Sequence, residues 1–180
     1  MTSEIRKTLQ TALSKGTLVQ LGLPEGAHEG FVIAMGPDLV LLQGIYEWQD
    51  AGALVVPVEV IEAVEVSDHH DDQIRILDFN SVKPTKRYSW VRLGSWGELF
   101  KALKFKDKFA VVSFGDEAEV GLVETVEDDL VVMKAVDPGG NWIDDELECS
   151  FDGITLVQFD DSYSRVLQRY VEKNAVPTSH

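Results

Sequence analysis

The chain resembles itself at an offset of 91 residues. Residues 30–42 (GFVIAMGPDLVLL) lie over residues 121–133 (GLVETVEDDLVVM), and five of the thirteen positions are identical: Gly30/Gly121, Val32/Val123, Asp38/Asp129, Leu39/Leu130 and Val40/Val131. At average residue usage, unrelated segments of this length share about one identity. Phe31/Leu122, Met35/Val126, Leu41/Val132 and Leu42/Met133 keep apolar character. Self-similarity of this kind restricts the fold to architectures that use one supersecondary unit more than once.

The match continues on both sides. Residues 18–21 (LVQL) correspond to 111–114 (VVSF), and the spaced apolar positions Val58, Ile61, Val64 and Val66 to Phe151, Ile154, Val157 and Phe159. Each segment is short, rich in β-branched or aromatic residues and bounded by turn residues, which is how strands read. The turns fall at residues 36–38 (GPD), 127–129 (EDD) and 137–140 (DPGG). A helix opens each unit. Ile5, Leu9, Ala12 and Leu13 share a face before Gly16, and Ser95 with Glu98 forms a capping box ahead of the stripe Trp96, Leu99, Phe100 and Leu103. Residues 161–173 form a further helical pattern, with Tyr163, Val166, Leu167, Tyr170 and Val171 on one face, and residues 174–180 read as a loose tail. Five short strands in about 60 residues leave sticky edges unless the sheet bends strongly. Gly30 and Gly121 are the candidate structural bends, because glycine permits a tight bend or bulge.

This order, a helix followed by five bent strands with a glycine-led second strand, resembles the Sm-like family and, more broadly, SH3-like barrels. The resemblance covers most of residues 1–68 and 95–161. It implies a mainly β protein with short helices (α+β): two repeated five-stranded barrels, each preceded by a short helix, plus a C-terminal helix. The expected organisation is a first barrel over 1–68, a connecting segment over 69–94 and a second barrel with its helices over 95–180. Sm-like RNA binders carry an Asn after the first turn and a basic residue with glycine in the second motif. Here those places hold Leu39-Val40 and Leu130-Val131, then Val58-Glu59-Val60 and Phe151-Asp152-Gly153, so the family's RNA-binding residues do not carry over.

In the connecting segment, residues 74–79 (IRILDF) read as an extra strand. His69, His70, Asp71 and Asp72 form the one histidine cluster; adjacent residues rarely converge on one ion, so it reads as a solvated acidic turn and no metal site is assigned. Sixteen Lys and Arg against 31 Asp and Glu give a net charge of −15. The span 83–108 is nonetheless +6 and the rest of the chain −21. Lys83, Lys86, Arg87 and Arg92 alternate there with Tyr88 and Trp90, a candidate binding strip in which rings could stack on bases and cations track phosphate. The same mixture suits a linker that packs its rings inward while its charges face an acidic neighbour, and the overall field disfavours nucleic acid.

No nucleophile–base pairing, phosphate-binding glycine loop or zinc spacing is present in the sequence, so no enzyme activity and no cofactor is expected. Cys149 lies in an alternating strand-like run and reads as a core thiol. The N-terminal residues lack an apolar stretch and no run approaches the ~20 residues of a membrane span, so a cytoplasmic protein without membrane contact is expected. The functional expectation is a non-enzymatic binding or assembly module acting through a protein partner or self-association. The alternatives are an acidic inhibitor, immunity-type protein or nucleic-acid mimic, and RNA or single-stranded DNA binding through residues 83–108.

Overall fold

The computed structural model describes residues 2–174. Helix α1 (Thr2–Lys15) buries Ile5, Leu9 and Ala12 and leaves Leu13 exposed. Glu4 in its first turn and Lys15 in its last oppose the helix dipole. Gly16, at φ +63°, ends it in the left-handed conformation that costs glycine nothing.

Ten strands follow in the order β1 (Leu18–Leu23), β2 (Gly26–Met35), β3 (Leu39–Tyr46), β4 (Gln49–Pro57), β5 (Ala63–Glu65), β6 (Ala110–Phe114), β7 (Glu117–Val126), β8 (Leu130–Ala135), β9 (Leu147–Ser150) and β10 (Leu156–Phe159). They form one sheet in the order β5-β1-β2-β3-β4-β10-β6-β7-β8-β9, and every pairing is antiparallel.

The expectation of two closed barrels is therefore overturned. Closing the first five strands needs β4 to pair with β5, and closing the second five needs β9 to pair with β10. Instead β4 gives its edge to β10, with Val55 opposite Val157, Leu54 opposite Gln158 and Ala53 opposite Phe159. The reason lies in β4, where residues 52–57 are buried without a break. A strand apolar on both faces belongs in the middle of a sheet, covered from both sides.

Each half still curls. Only a 3₁₀ turn at Val58–Val60 and two more residues separate β4 from β5, which lie at opposite ends of the first five strands. A second 3₁₀ turn at Phe151–Gly153 links β9 to β10 in the same manner. Register shifts occur between Val32 and Ala34 in β2 and between Val123 and Thr125 in β7, soon after the two glycines chosen as bends. Neither glycine has positive φ. What Gly30 requires is space: a Cβ there would lie 2.5 Å from the Gln43 carbonyl oxygen, and one at Gly121 would meet the Lys134 carbonyl oxygen.

The remaining helices cover the sheet. Residues 74–79, expected as a strand, belong to helix α2 (His70–Phe79). Asp71 and Asp72 suit its first turn, and Ile74 and Leu77 turn inward at helical spacing while Ile76 and Phe79 stay exposed. Leu77 packs with Leu18, Phe31 and Ile45. Helix α3 (Trp96–Phe105) starts at the expected cap, where the Ser95 hydroxyl accepts from the Glu98 amide at 3.2 Å. It drives Leu99, Phe100 and Leu103 into a core shared with Leu39, Leu41, Val55, Val131, Met133 and Val157, so that core draws on strands from both ends of the chain. Helix α4 (Ser162–Asn174) is capped by the Asp161 carboxylate, which accepts from the amides of Tyr163 and Ser164 at 2.9 and 3.2 Å. Its expected single apolar face divides: Leu167 and Val171 pack with Phe109, Val120 and Val136, whereas Tyr163, Val166 and Tyr170 are exposed. Apart from Asn174, the tail expected at 174–180 lies outside the described residues.

Candidate interaction surfaces

The residues after α2 run back over the sheet and pack Tyr88 and Trp90 against its core. Tyr88 is 4% exposed, with its ring edge-on to Phe159 at 5.6 Å. Trp90 is half-buried against the same phenylalanine at 5.6 Å. Arg87 donates to the Tyr88 hydroxyl at 2.6 Å and to Asp50 Oδ1 at 3.0 Å, and its guanidinium carbon sits 4.7 Å from the Tyr88 ring centre. Burial pushes the Tyr88 phenol up to about 12, with Arg87 pulling the other way. Beneath them the buried Gln43 donates to Asp50 Oδ2 at 2.8 Å and accepts from the Thr85 amide at 2.9 Å, tying the strip to β3 and β4.

Of the six residues of the strip, Trp90 and Arg92 border one slot, while Lys83, Lys86, Arg87 and Tyr88 do not line it. Lys83 points to Asp78 at 3.6 Å, Arg92 donates to the Ser89 carbonyl at 3.2 Å, and Lys86 is exposed. Tyr88 is packed in the core against Phe159 and is not free to stack on a base, whereas Trp90 touches Phe159 and still lines a surface slot.

Two other sequence features have structural duties. His70 opens α2 and its Nε2 accepts from the Leu18 amide at 3.2 Å, fastening the helix to the start of β1. Cys149 is buried in β9, and burial pushes its thiol up to about 11, away from the thiolate form that nucleophilic chemistry needs.

Around α3 two concavities share a wall. On one side is a groove of about 970 Å³. Asp38, Glu59, Glu98, Glu127, Asp128 and Asp152 line it, with the rings of Trp96 and Phe151 and the cations Arg6 and Lys101. On the other side is a slot of about 420 Å³ between Trp90, Ala102 and Phe105, rimmed by Arg92, Lys101 and Lys106. Glu98 and Lys101 line both. Phe105 is 85% exposed, unusual for a phenylalanine.

Among the described residues the open sheet also ends on two strands paired on one side only. At one end is β5 and at the other β9. Both are flanked by exposed carboxylates: Glu62, Glu65 and Asp68 by β5, and Asp144, Asp145, Glu146 and Glu148 by β9. Beside β5 a groove of about 460 Å³ runs past Glu29, Glu47 and Glu65 to the exposed Tyr46. Tyr46 leads into a two-residue hairpin turn, Glu47-Trp48, in which both residues hold positive φ (47° and 63°). That is the turn whose twist suits a hairpin, built here without glycine.

The groove and the sheet edges were not singled out from sequence, whereas the slot lies within the basic span 83–108 and includes Trp90 and Arg92 of the expected strip. The groove assembles from segments far apart in the chain, whereas the slot is built from residues 90–106 alone. The free edges follow from the strand order, although the alternation of residues 147–150 (LECS) against the unbroken apolar run of β4 already marks β9 as the less buried strand. Among the described residues no helix is long and apolar enough to cross a membrane. Comparison with protein-family models, curated proteins and solved structures gives no match.

Proposed function

We propose that the protein is a non-enzymatic binding module that holds a basic segment of a partner protein by strand addition at the free edges of its sheet. The observation that carries this reading is the state of those edges: β5 and β9 have neighbours on one side only. A strand edge presents rows of unpaired amides and carbonyls, and an extended peptide can complete them. The chain already makes one such junction within itself, where β10 joins β4.

Charge selects the occupant. Two copies meeting edge to edge would bring Glu146 and Glu148 against Glu62 and Glu65, and like charges facing across a strand pair are destabilising. Acidic flanks thus hold off other copies, while a lysine- or arginine-bearing strand gains from them. Against the nucleic-acid alternative stands the burial of Tyr88 on Phe159, while Trp90 and Arg92 remain at a surface slot. A peptide alternating lysine and valine serves as the probe, with a glutamate–valine peptide as control. The lysine peptide should bind, more weakly as salt rises, and should lose affinity about tenfold when Glu146 and Glu148 are both changed to lysine. Equal binding of the two peptides, or binding indifferent to those substitutions, would refute the reading.

A further inference from the structure

We infer that the face around helix α3 is a second, separate contact, in which two copies of the chain meet about a twofold axis. An isologous contact sets one patch against itself, so residue i of one copy meets residue j of the other and the reverse. A patch of one charge repels its own image. A patch with an acidic half and a basic half side by side is complementary to itself once turned over.

The α3 face has this form. Its acidic half is the groove with Asp38, Glu59, Glu127, Asp128 and Asp152, and its basic half is the slot rimmed by Arg92, Lys101 and Lys106. The halves adjoin, since Glu98 and Lys101 border both. A twofold axis near these two residues lays the cations of each copy over the carboxylates of the other. Among the described residues Arg92, Lys101 and Lys106 have no carboxylate within 4.0 Å, as holds for every Lys and Arg except Arg6, Arg75, Lys83, Arg87 and Lys108; what sets these three apart is that they gather around one slot. In a chain with 31 carboxylates to 16 cations, three unpaired cations around an aromatic slot leave charge to be met from outside, and the rest of the chain, at −21, supplies it. Phe105, 85% exposed beside Lys106, provides the apolar anchor such a contact needs, and the groove it would enter contains the rings of Trp96 and Phe151.

Salt gives this contact a signature. Two bodies of charge −15 repel at long range, and the opposite charges act only at contact. At about 0.1 M salt the Debye length is about 10 Å, so distant repulsion is screened while touching pairs survive; at about 1 M it is about 3 Å and the pairs weaken too. Self-association should therefore be strongest at intermediate salt.

The test is sedimentation of the full chain and of two surface variants. One variant carries Arg92→Glu with Lys106→Glu and the other Asp128→Lys with Asp152→Lys. Wild type should dimerise near 0.1 M salt and weaken about tenfold by about 1 M. Each variant alone should be monomeric, because one half of its patch has lost or reversed the charge that opposes the other half. Mixed, the two should form a heterodimer of roughly wild-type strength, a rescue that misfolding cannot imitate. A wild type monomeric at every salt concentration, a dimer indifferent to the substitutions, or a monomer that instead binds an oligonucleotide through the same cations would overturn the inference. The first variant should still bind the lysine–valine peptide at the sheet edges, so the two contacts stand or fall apart.

Discussion

Val157 in β10 stands directly opposite Val55 in β4, and neither has any exposed surface. Three such residue pairs join the strands of the first half to those of the second, and the core beneath them draws on both. Truncating either valine to alanine should cost about 2–3 kcal/mol through lost burial and the cavity left behind. Because the sheet is continuous across this junction, urea unfolding should be one cooperative transition. Tryptophan fluorescence and circular dichroism should coincide in wild type and variants, and two separated transitions would show that the halves are not coupled.

Gln43 tests the tie between the aromatic segment and the sheet. Its side chain is 2% exposed and bonded at both ends, to Asp50 and to the Thr85 amide. Gln43→Leu keeps the volume and strands the Thr85 amide, while Asp50 keeps Arg87 and the Gly52 amide, so a loss of about 1–3 kcal/mol is expected. Phe105→Ser is the contrasting control: at 85% exposure it should change stability by less than about 0.5 kcal/mol.

The two close-approach glycines should be intolerant of any side chain. A Cβ at Gly30 meets the Gln43 carbonyl and one at Gly121 the Lys134 carbonyl, both fixed in the neighbouring strand. Gly30→Ala and Gly121→Ala should each cost about 1–3 kcal/mol in thermal unfolding. Gly26→Ala offers a comparison of another kind, since nothing lies within 4 Å of that site and only its φ of +139° opposes a side chain.

Alkaline stability should follow Tyr88. Its phenol is raised from 10.0 to about 12 by burial, with Arg87 acting against the shift. A group whose folded value lies above its unfolded one stabilises the fold fully below the unfolded value. That stability is lost as pH rises from about 10 toward about 12, because the unfolded chain gives up its proton first. Cys149, raised from 9.0 to about 11 by burial, adds a loss of the same sign that begins lower. Urea titrations from neutral to alkaline pH should show a falling midpoint over this range, and Tyr88→Phe should flatten its upper part.

Much of the local structure was legible in the residues. The strands appeared as short β-branched runs, the start of α3 as Ser95 with Glu98, and the end of α1 as Gly16, because each depends on neighbours in sequence. Closure was not legible. The likeness of residues 30–42 to 121–133 says that similar strands occur twice, and is silent on which edges they share. The decisive feature was the unbroken apolar run of β4, which belongs in a sheet interior and there takes β10 as its neighbour. Residues 74–79 misled because β-branched and aromatic content outweighed the helical spacing of Ile74 and Leu77 and the two aspartates before them. The acidic groove beside α3 was illegible for a simpler reason: Asp38, Glu127 and Asp152 meet only after folding.

The most direct measurement is residue-resolved amide exchange with and without the lysine–valine peptide. Slowed exchange confined to Ala63–Glu65 and Leu147–Ser150, and absent with the glutamate–valine peptide, is the expected result. Unchanged exchange in both strands while the peptide is bound elsewhere would contradict strand addition at the sheet edges.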